Sequence, residues 1–314
     1  MPALAKSIPV ASALRRIESL PCCLSALATK PMKTPKRLLP LVEEGLIDEV
    51  MRQLMSGKEA TVYVVRCGDD IRCAKVYKAA TERSFHQAVA YQEGRRVKNS
   101  RQARAMEKGS RYGRKMAEEV WQNAEVDALY RLAAAGVRVP VPYVCFEGVL
   151  IMELVTDGSG NAAPRLNDAE ITPELARQWH AALLQQVVLM LRAGVIHGDL
   201  SEYNILMDAD GPVIIDLPQA IDAAGSSVAA DMLARDVDKL NSFFAVHAPE
   251  LAGRQYGREM WGLYAAGLLT SAAQLTGIVA APTTLPDVAG VLHEISLAQE
   301  EEAERQRIQM ATQA

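Results

Sequence analysis

Residues 195–216 read VIHGDLSEYNILMDADGPVIID. Gly194 caps the apolar-periodic segment before this stretch, and two short β-rich runs within it, Ile205–Met207 and Val213–Ile215, flank the turn Asp208–Pro212. Asp199 and, five residues later, Asn204 therefore fall in a loop between a helix and a strand pair, and Asp216 closes the second strand. Phosphoryl transfer from ATP needs such a set. One carboxylate orients the attacking group and accepts its proton, while an amide oxygen and a second carboxylate hold Mg²⁺ against the phosphates. Singly, each residue is ordinary: a loop Asp is usually a cap or turn residue, and an Asn before a strand a turn residue. The ordered triple in helix–loop–strand–turn–strand context carries the chemistry.

Upstream, Leu175, Trp179, Leu183, Val187 and Leu191 recur every fourth residue, predicting a helix over Pro173–Ala193 with these residues on one face. Val149–Val155 is a compact apolar run read as a buried strand, and 157–164 as a linker. Val120, Trp121, Ala124, Ala128, Leu129 and Leu132 predict a helix ended by Gly136. Thr61–Val65 and Ile71–Tyr77 are β-rich runs around the hairpin signal Gly68-Asp69-Asp70. Residues 41–54, LVEEGLIDEVMRQL, show apolar spacing that predicts a short amphipathic helix. Downstream, the chain to about residue 280 reads as helices.

Lys75, flanked by Ala74 and Val76 in an apolar strand, is unfavourable there unless paired. A phosphate and a helix carboxylate would satisfy it, and Glu125 is the candidate, with Glu118 or Glu119 as substitutes. Ser56-Gly57-Lys58-Glu59-Ala60 joins two segments with small residues, so its backbone N–H groups could cover phosphates. It has neither the GxGxxG of ordinary protein kinases nor a Walker loop, and alone reads as a plain hairpin turn.

The bulk numbers set bounds. Of 314 residues 49% are hydrophobic, enough for a sizeable core, and the net charge of −4 argues against a chain-wide polyanion binder. Charge is nevertheless local: residues 95–115 hold nine Lys and Arg against Glu107 alone and are expected to form a flexible basic loop. The five cysteines show no CxxC spacing, which fits reduced thiols in a cytoplasmic chain, with a Cys67–Cys73 bridge as the minor alternative. No run of about 18 apolar residues indicates a membrane span. Residues 1–40 read as an N-terminal extension, with an organelle transit peptide as the minor alternative. His197 is expected to shape its loop, and His180 to pack or lie on the surface.

SGKEATVY, CAKVYK, the basic insert, HGDLSEYNIL, IIDLPQA and RDVDKLNSFF together resemble the RIO atypical serine/threonine protein kinases over roughly residues 45–245. The resemblance implies an α+β, protein-kinase-like fold of two lobes with an ATP cleft between them. It places a β-rich N-lobe at 41–155, a mainly helical C-lobe at 156–285 and a helical tail at 286–314. It casts Asp199 as the catalytic aspartate, Asn204 and Asp216 as metal ligands, and Lys75 with Glu125 as the ATP-phosphate pair. It casts Ser56, Gly57 and Lys58 as the phosphate-covering loop, and Met152, Glu153 and Leu154 as the adenine-binding hinge. ATP and Mg²⁺, with Mn²⁺ as a substitute, are the implied ligands, and a ribosomal particle or RNA at the loop 95–115 an implied partner. Two departures from typical kinases stand out. Asp216 is followed by Leu217-Pro218, which removes a Phe packing switch, and the extension shows no winged-helix pattern, so the resemblance is to a bacterial member closer to the branch lacking that module.

Three functions follow. The first is a serine/threonine protein kinase. The second is an ATPase switch in which Asp216 itself becomes phosphorylated and controls binding to a ribosomal particle. The third is a small-molecule phosphotransferase like the aminoglycoside and choline kinases, which share HGDxxxxN but not SGKEA or SEY. Intact Lys75, Asp199, Asn204 and Asp216 argue against a pure binding pseudokinase.

Overall fold

A computed structural model of the chain describes residues 32–57, 59–78 and 124–279. The extension before residue 32, Lys58, the basic segment 95–115, Glu118, Glu119 and the C-terminal tail lie outside the described residues.

The N-terminal helix is shorter than predicted. α1 covers only Leu39–Glu43, and Gly45 turns the chain in left-handed backbone at φ 71°. Residues 49–54, the second half of the predicted helix, belong instead to β1 (Glu49–Ser56), paired with β2 (Ala60–Cys67). Its apolar residues do not alternate strictly because two register shifts, at Val50/Arg52 and Gln53/Met55, break the period of two. Sheet pairing at an edge thus overrides a helical pattern of only a few residues.

β2 and β3 (Asp70–Tyr77) form the expected hairpin around Gly68-Asp69, with Gly68 at φ 63°. Cys67 and Cys73 face Asp70 and Val64 across it and both are free thiols. Residues 124–134 make α2, which Gly136 ends at φ 78°. β4 (Pro142–Phe146) and β5 (Val149–Glu153) complete an antiparallel sheet in the order β1-β2-β3-β5-β4. The sheet's two faces belong to different cores. Ala74, Val76 and Ile151 pack with Leu38 and Leu41 beside α1, whereas Tyr77 and Leu150 pack with Leu129 and Leu132 of α2. Because side chains alternate along β3, Lys75 shares the Tyr77 face, toward α2.

The helical lobe begins with α3 (Pro173–Arg192), capped by the Thr172 hydroxyl, which accepts the Leu175 N–H at 3.3 Å. Leu183, Val187 and Leu191 of the predicted stripe are buried, but the first turns differ: Ala176 and His180 are buried, while Leu175 and Trp179 are only partly covered. A step of four residues advances about 40° beyond a full turn, so a strict every-fourth pattern rotates off the face within a few steps. Short strands β6 (Val195–Ile196) and β9 (Ile221–Asp222) pair with each other. Between them lies the hairpin of β7 (Ile205–Asp208) and β8 (Gly211–Ile214). α4 (Ala229–Ala245) and α5 (Tyr256–Ala265) close the lobe. Among the described residues no helix is long and apolar enough to cross a membrane.

Candidate active site

The site is assembled where β3, α2 and the end of β8 meet. Lys75 Nζ donates to Glu125 Oε1 at 2.6 Å and to Asp216 Oδ1 at 2.8 Å. Tyr77, two residues along the same face of β3, donates its hydroxyl to the other Glu125 oxygen at 2.6 Å. Glu125 is 1% exposed, whereas the Asp216 side chain is 45% open to solvent. The lysine therefore joins a closed carboxylate to an open one.

Electrostatics follow from that geometry. Burial opposes the Lys75 charge, but Glu125 and then Asp216 outweigh it and hold its pKa well above the usual lysine value. The Lys75 ammonium holds the Asp216 carboxyl below the usual carboxylate range, outweighing the partial loss of water around it. Burial, reinforced by Glu125, pushes the Tyr77 phenol up, so it remains a proton donor. Asp216 itself sits in left-handed backbone at φ 66°, uncommon for a residue with a Cβ. Its backbone is reached directly from the ladder, since Ile215 N–H donates to the Asn204 carbonyl at 3.0 Å.

The loop carrying Asp199 is tied down on several sides. Asn204 Nδ2 donates to the Asp199 carbonyl at 2.9 Å. His197 is 2% exposed; its Nδ1 accepts the Asp199 N–H at 3.3 Å, so its Nε2 is the protonated nitrogen and donates to the Ile215 carbonyl at 3.0 Å. The histidine thus links the Asp199 loop to the strand end before Asp216.

Three contacts from α4 escaped the sequence reading. Asp236 Oδ2 accepts the Gly198 N–H at 2.7 Å, Arg235 donates to the Gly198 carbonyl at 2.6 Å, and Lys239 donates to Asp199 Oδ1 at 2.9 Å. Asp236 is 2% exposed, and burial raises its pKa. A signal existed: Asp236 interrupts the buried stripe Met232, Leu233, Val237, Leu240 and Phe244, where an acid needs a partner. Tyr77 was missed because an aromatic at a strand end reads as core.

The remaining predicted residues lie at the margins. Ser56 ends β1 and Gly57 follows it toward β2, but the Gly57 N–H is held by the Ala60 carbonyl at 2.9 Å and its own carbonyl accepts from Lys78 at 2.6 Å. Met152 and Glu153 lie in β5, with the Glu153 N–H bonded to the Val141 carbonyl at 2.9 Å. The Leu154 backbone makes no hydrogen bond among the described residues. Asp199 itself, with Asn204, Tyr203 and the α4 residues Asp231, Arg235 and Lys239 among others, lines an open groove of about 1100 Å³.

The RIO domain model matches residues 61–255, from within β2 to the residue before α5. The chain belongs to the RIO family. The RIO match takes in Lys75, Glu125, Asp199, Asn204, Asp216 and the α4 contacts, and leaves Ser56 and Gly57 outside. The RIO-type serine/threonine-protein kinase Rio1 of Haloferax volcanii is 33% identical over 207 residues, covering 65% of this chain and 66% of that protein. The serine/threonine-protein kinase RIO1 of Chaetomium thermophilum is 31% identical over 222 residues, covering 66% of this chain but only 41% of its own length. The chain thus corresponds to about two-fifths of that fungal RIO1 protein. A crystal structure of the Rio2 kinase of Chaetomium thermophilum aligns with a TM-score of 0.49 at 18% identity, over 75% of each chain.

Proposed function

We propose that this chain is a RIO-type serine/threonine protein kinase, transferring the γ-phosphate of ATP to a protein hydroxyl, its own included. The observation that carries this is Lys75 held between buried Glu125 and open Asp216, 50 and 141 positions away along the chain. A lysine this deeply buried serves core packing poorly, but as a rigid cation on a cleft wall it meets a phosphate without reorganising.

The residues fit a metal ion. Asn204 uses its amide N–H on the Asp199 carbonyl, which leaves Oδ1 as its free donor, and Lys75 engages only one Asp216 oxygen. Two hard oxygen donors suit Mg²⁺, which takes few protein ligands and fills its shell with water and phosphate oxygens; Mn²⁺ accepts the same donors. Bound there, the ion offsets phosphate charge. Asp199 orients the acceptor hydroxyl and takes its proton as the acceptor oxygen bonds to the γ-phosphorus and the bond to the β-phosphate oxygen breaks, leaving ADP. The Leu154 backbone, without a hydrogen bond among the described residues, supports the hinge assignment for adenine. Glu153 has its N–H engaged, and the phosphate-covering role of Ser56, Gly57 and Lys58 draws support only from their place between β1 and β2.

The open groove beside Asp199 favours a large acceptor over a small one, which an enclosed pocket would suit better. The nine cations of 95–115 support contact with RNA or a ribosomal particle in the cytoplasm. Incubation with γ-labelled ATP and Mg²⁺ tests the proposal. Acid-stable label on Ser or Thr, lost in Asp199→Ala, supports the protein kinase. Hydroxylamine-labile label lost in Asp216→Asn would instead assign the phosphoryl group to this chain's own carboxylate, the ATPase switch.

A further inference from the structure

Lys239 meets Asp199 across 40 positions, from α4 to the loop before β7. The ion pair is half in solvent, with side-chain exposures of 37% and 47%. Pairs so exposed contribute little to stability, so a stability role alone does not account for it. Its effect falls on where the Asp199 carboxylate points. Lys239 engages Oδ1, and among the described residues Oδ2 has no partner. One oxygen is held by Lys239, and Asp199 itself lines the groove where an acceptor hydroxyl must arrive.

The same turn of α4 fixes the loop backbone one residue earlier. Arg235 and Asp236 hold the carbonyl and N–H of Gly198, and Lys239, three residues after Asp236, holds the next side chain. Helical spacing puts 235, 236 and 239 on one side of α4. Backbone and carboxylate are thus anchored to a single rigid element, and a proton acceptor fixed in this way avoids the cost of finding its orientation during the reaction.

We propose that Lys239 is a positioning residue for phosphoryl transfer, clamping one oxygen of Asp199 so that the other receives the acceptor proton. This deepens the kinase assignment and rests on Asp199 being that proton acceptor. It also ties the acceptor site to α4, because Lys239 stands in the groove wall beside Arg235 and Arg258.

The test compares steady-state γ-phosphate transfer from labelled ATP with Mg²⁺ in wild type, Lys239→Met, Lys239→Arg and Asp199→Asn, with nucleotide affinity read separately by a fluorescent ATP analogue. Lys239→Met is expected to lower kcat at least tenfold, with KM for ATP and analogue affinity within twofold and an unchanged melting midpoint. Lys239→Arg, which keeps a cation, should recover most of the loss. Wild-type kcat in Lys239→Met overturns the proposal. So does a loss that Arg fails to rescue, or one that appears chiefly in ATP affinity. If Asp199→Asn turns over like wild type, the proton-acceptor assignment itself fails, an outcome separate from failure at Lys239 alone.

Discussion

Lys75 Nζ lies 2.8 Å from Asp216 Oδ1, a contact between a strand of the sheet and the second residue past β8, 141 positions later. The same nitrogen holds Glu125, so one ammonium joins the sheet, α2 and the segment just past β8 in the helical lobe. Removing it leaves a buried carboxylate without its counter-charge.

Lys75→Met is therefore expected to destabilise the fold by about 3 kcal/mol and to abolish productive ATP binding. Adding Glu125→Leu should return part of the stability but none of the binding, because the double change removes the unpaired charge and not the need for a cation. Urea denaturation of both variants, with nucleotide binding by fluorescence, checks this; equal stability of the single and double variants would contradict it.

Tyr77→Phe removes the hydroxyl that fixes the second Glu125 oxygen. A hydrogen bond to a buried charged group contributes about 2 kcal/mol. The variant should lose that much in a denaturant titration and keep measurable transfer, since Lys75 still holds the first oxygen.

Asp199→Asn should lower transfer by about 100-fold or more while ATP affinity stays near wild type, because a positioned proton acceptor acts on the chemical step. Asp216→Asn should weaken Mg²⁺-dependent nucleotide binding as well. Binding and transfer measured side by side separate the two carboxylates; matching profiles would show that they do not have distinct roles.

Gly198→Ala tests the loop backbone. Gly198 sits at φ 83°, and an added Cβ would lie 2.5 Å from the Gln219 carbonyl oxygen, a backbone atom that cannot swing aside. We expect a stability cost of about 2 kcal/mol and a large loss of transfer from the displaced Asp199. Retention of wild-type transfer would show that the loop tolerates the shift.

His180 gives a pH prediction. It is 3% exposed and its Nε2 donates to Asn241 Oδ1 at 2.8 Å; Asn241 in turn donates to the Arg254 carbonyl at 3.0 Å. Burial, partly opposed by that bond, lowers its pKa below 6.5. The unfolded chain therefore takes up a proton that the folded chain refuses. Stability from the neutral imidazole is complete above the unfolded value and falls as the pH drops toward the folded one, by at most about 1.4 kcal/mol per unit. The urea midpoint of wild type should fall more between pH 7 and 5.5 than that of His180→Gln.

The linear order of residues determined the chemistry available to this protein. Asp199, Asn204 and Asp216 are set by short spacings around turns and strand ends, and a lysine within an apolar strand announces a need for a partner. The hairpin at Gly68 and the helix stop at Gly136 were legible for the same reason, since both rest on local backbone preference. Packing across the whole chain settled which groups meet. Residues 49–54 read as helix because their apolar spacing matches a helical turn, and only pairing with β2 made them part of a strand. That Lys75 reaches Asp216, that Asp236 holds Gly198, and that Lys239 clamps Asp199 depends on how helices and sheet pack across tens of residues. Local periodicity fixes which face of an element is apolar, but not which distant element covers it, and here that choice places the charges.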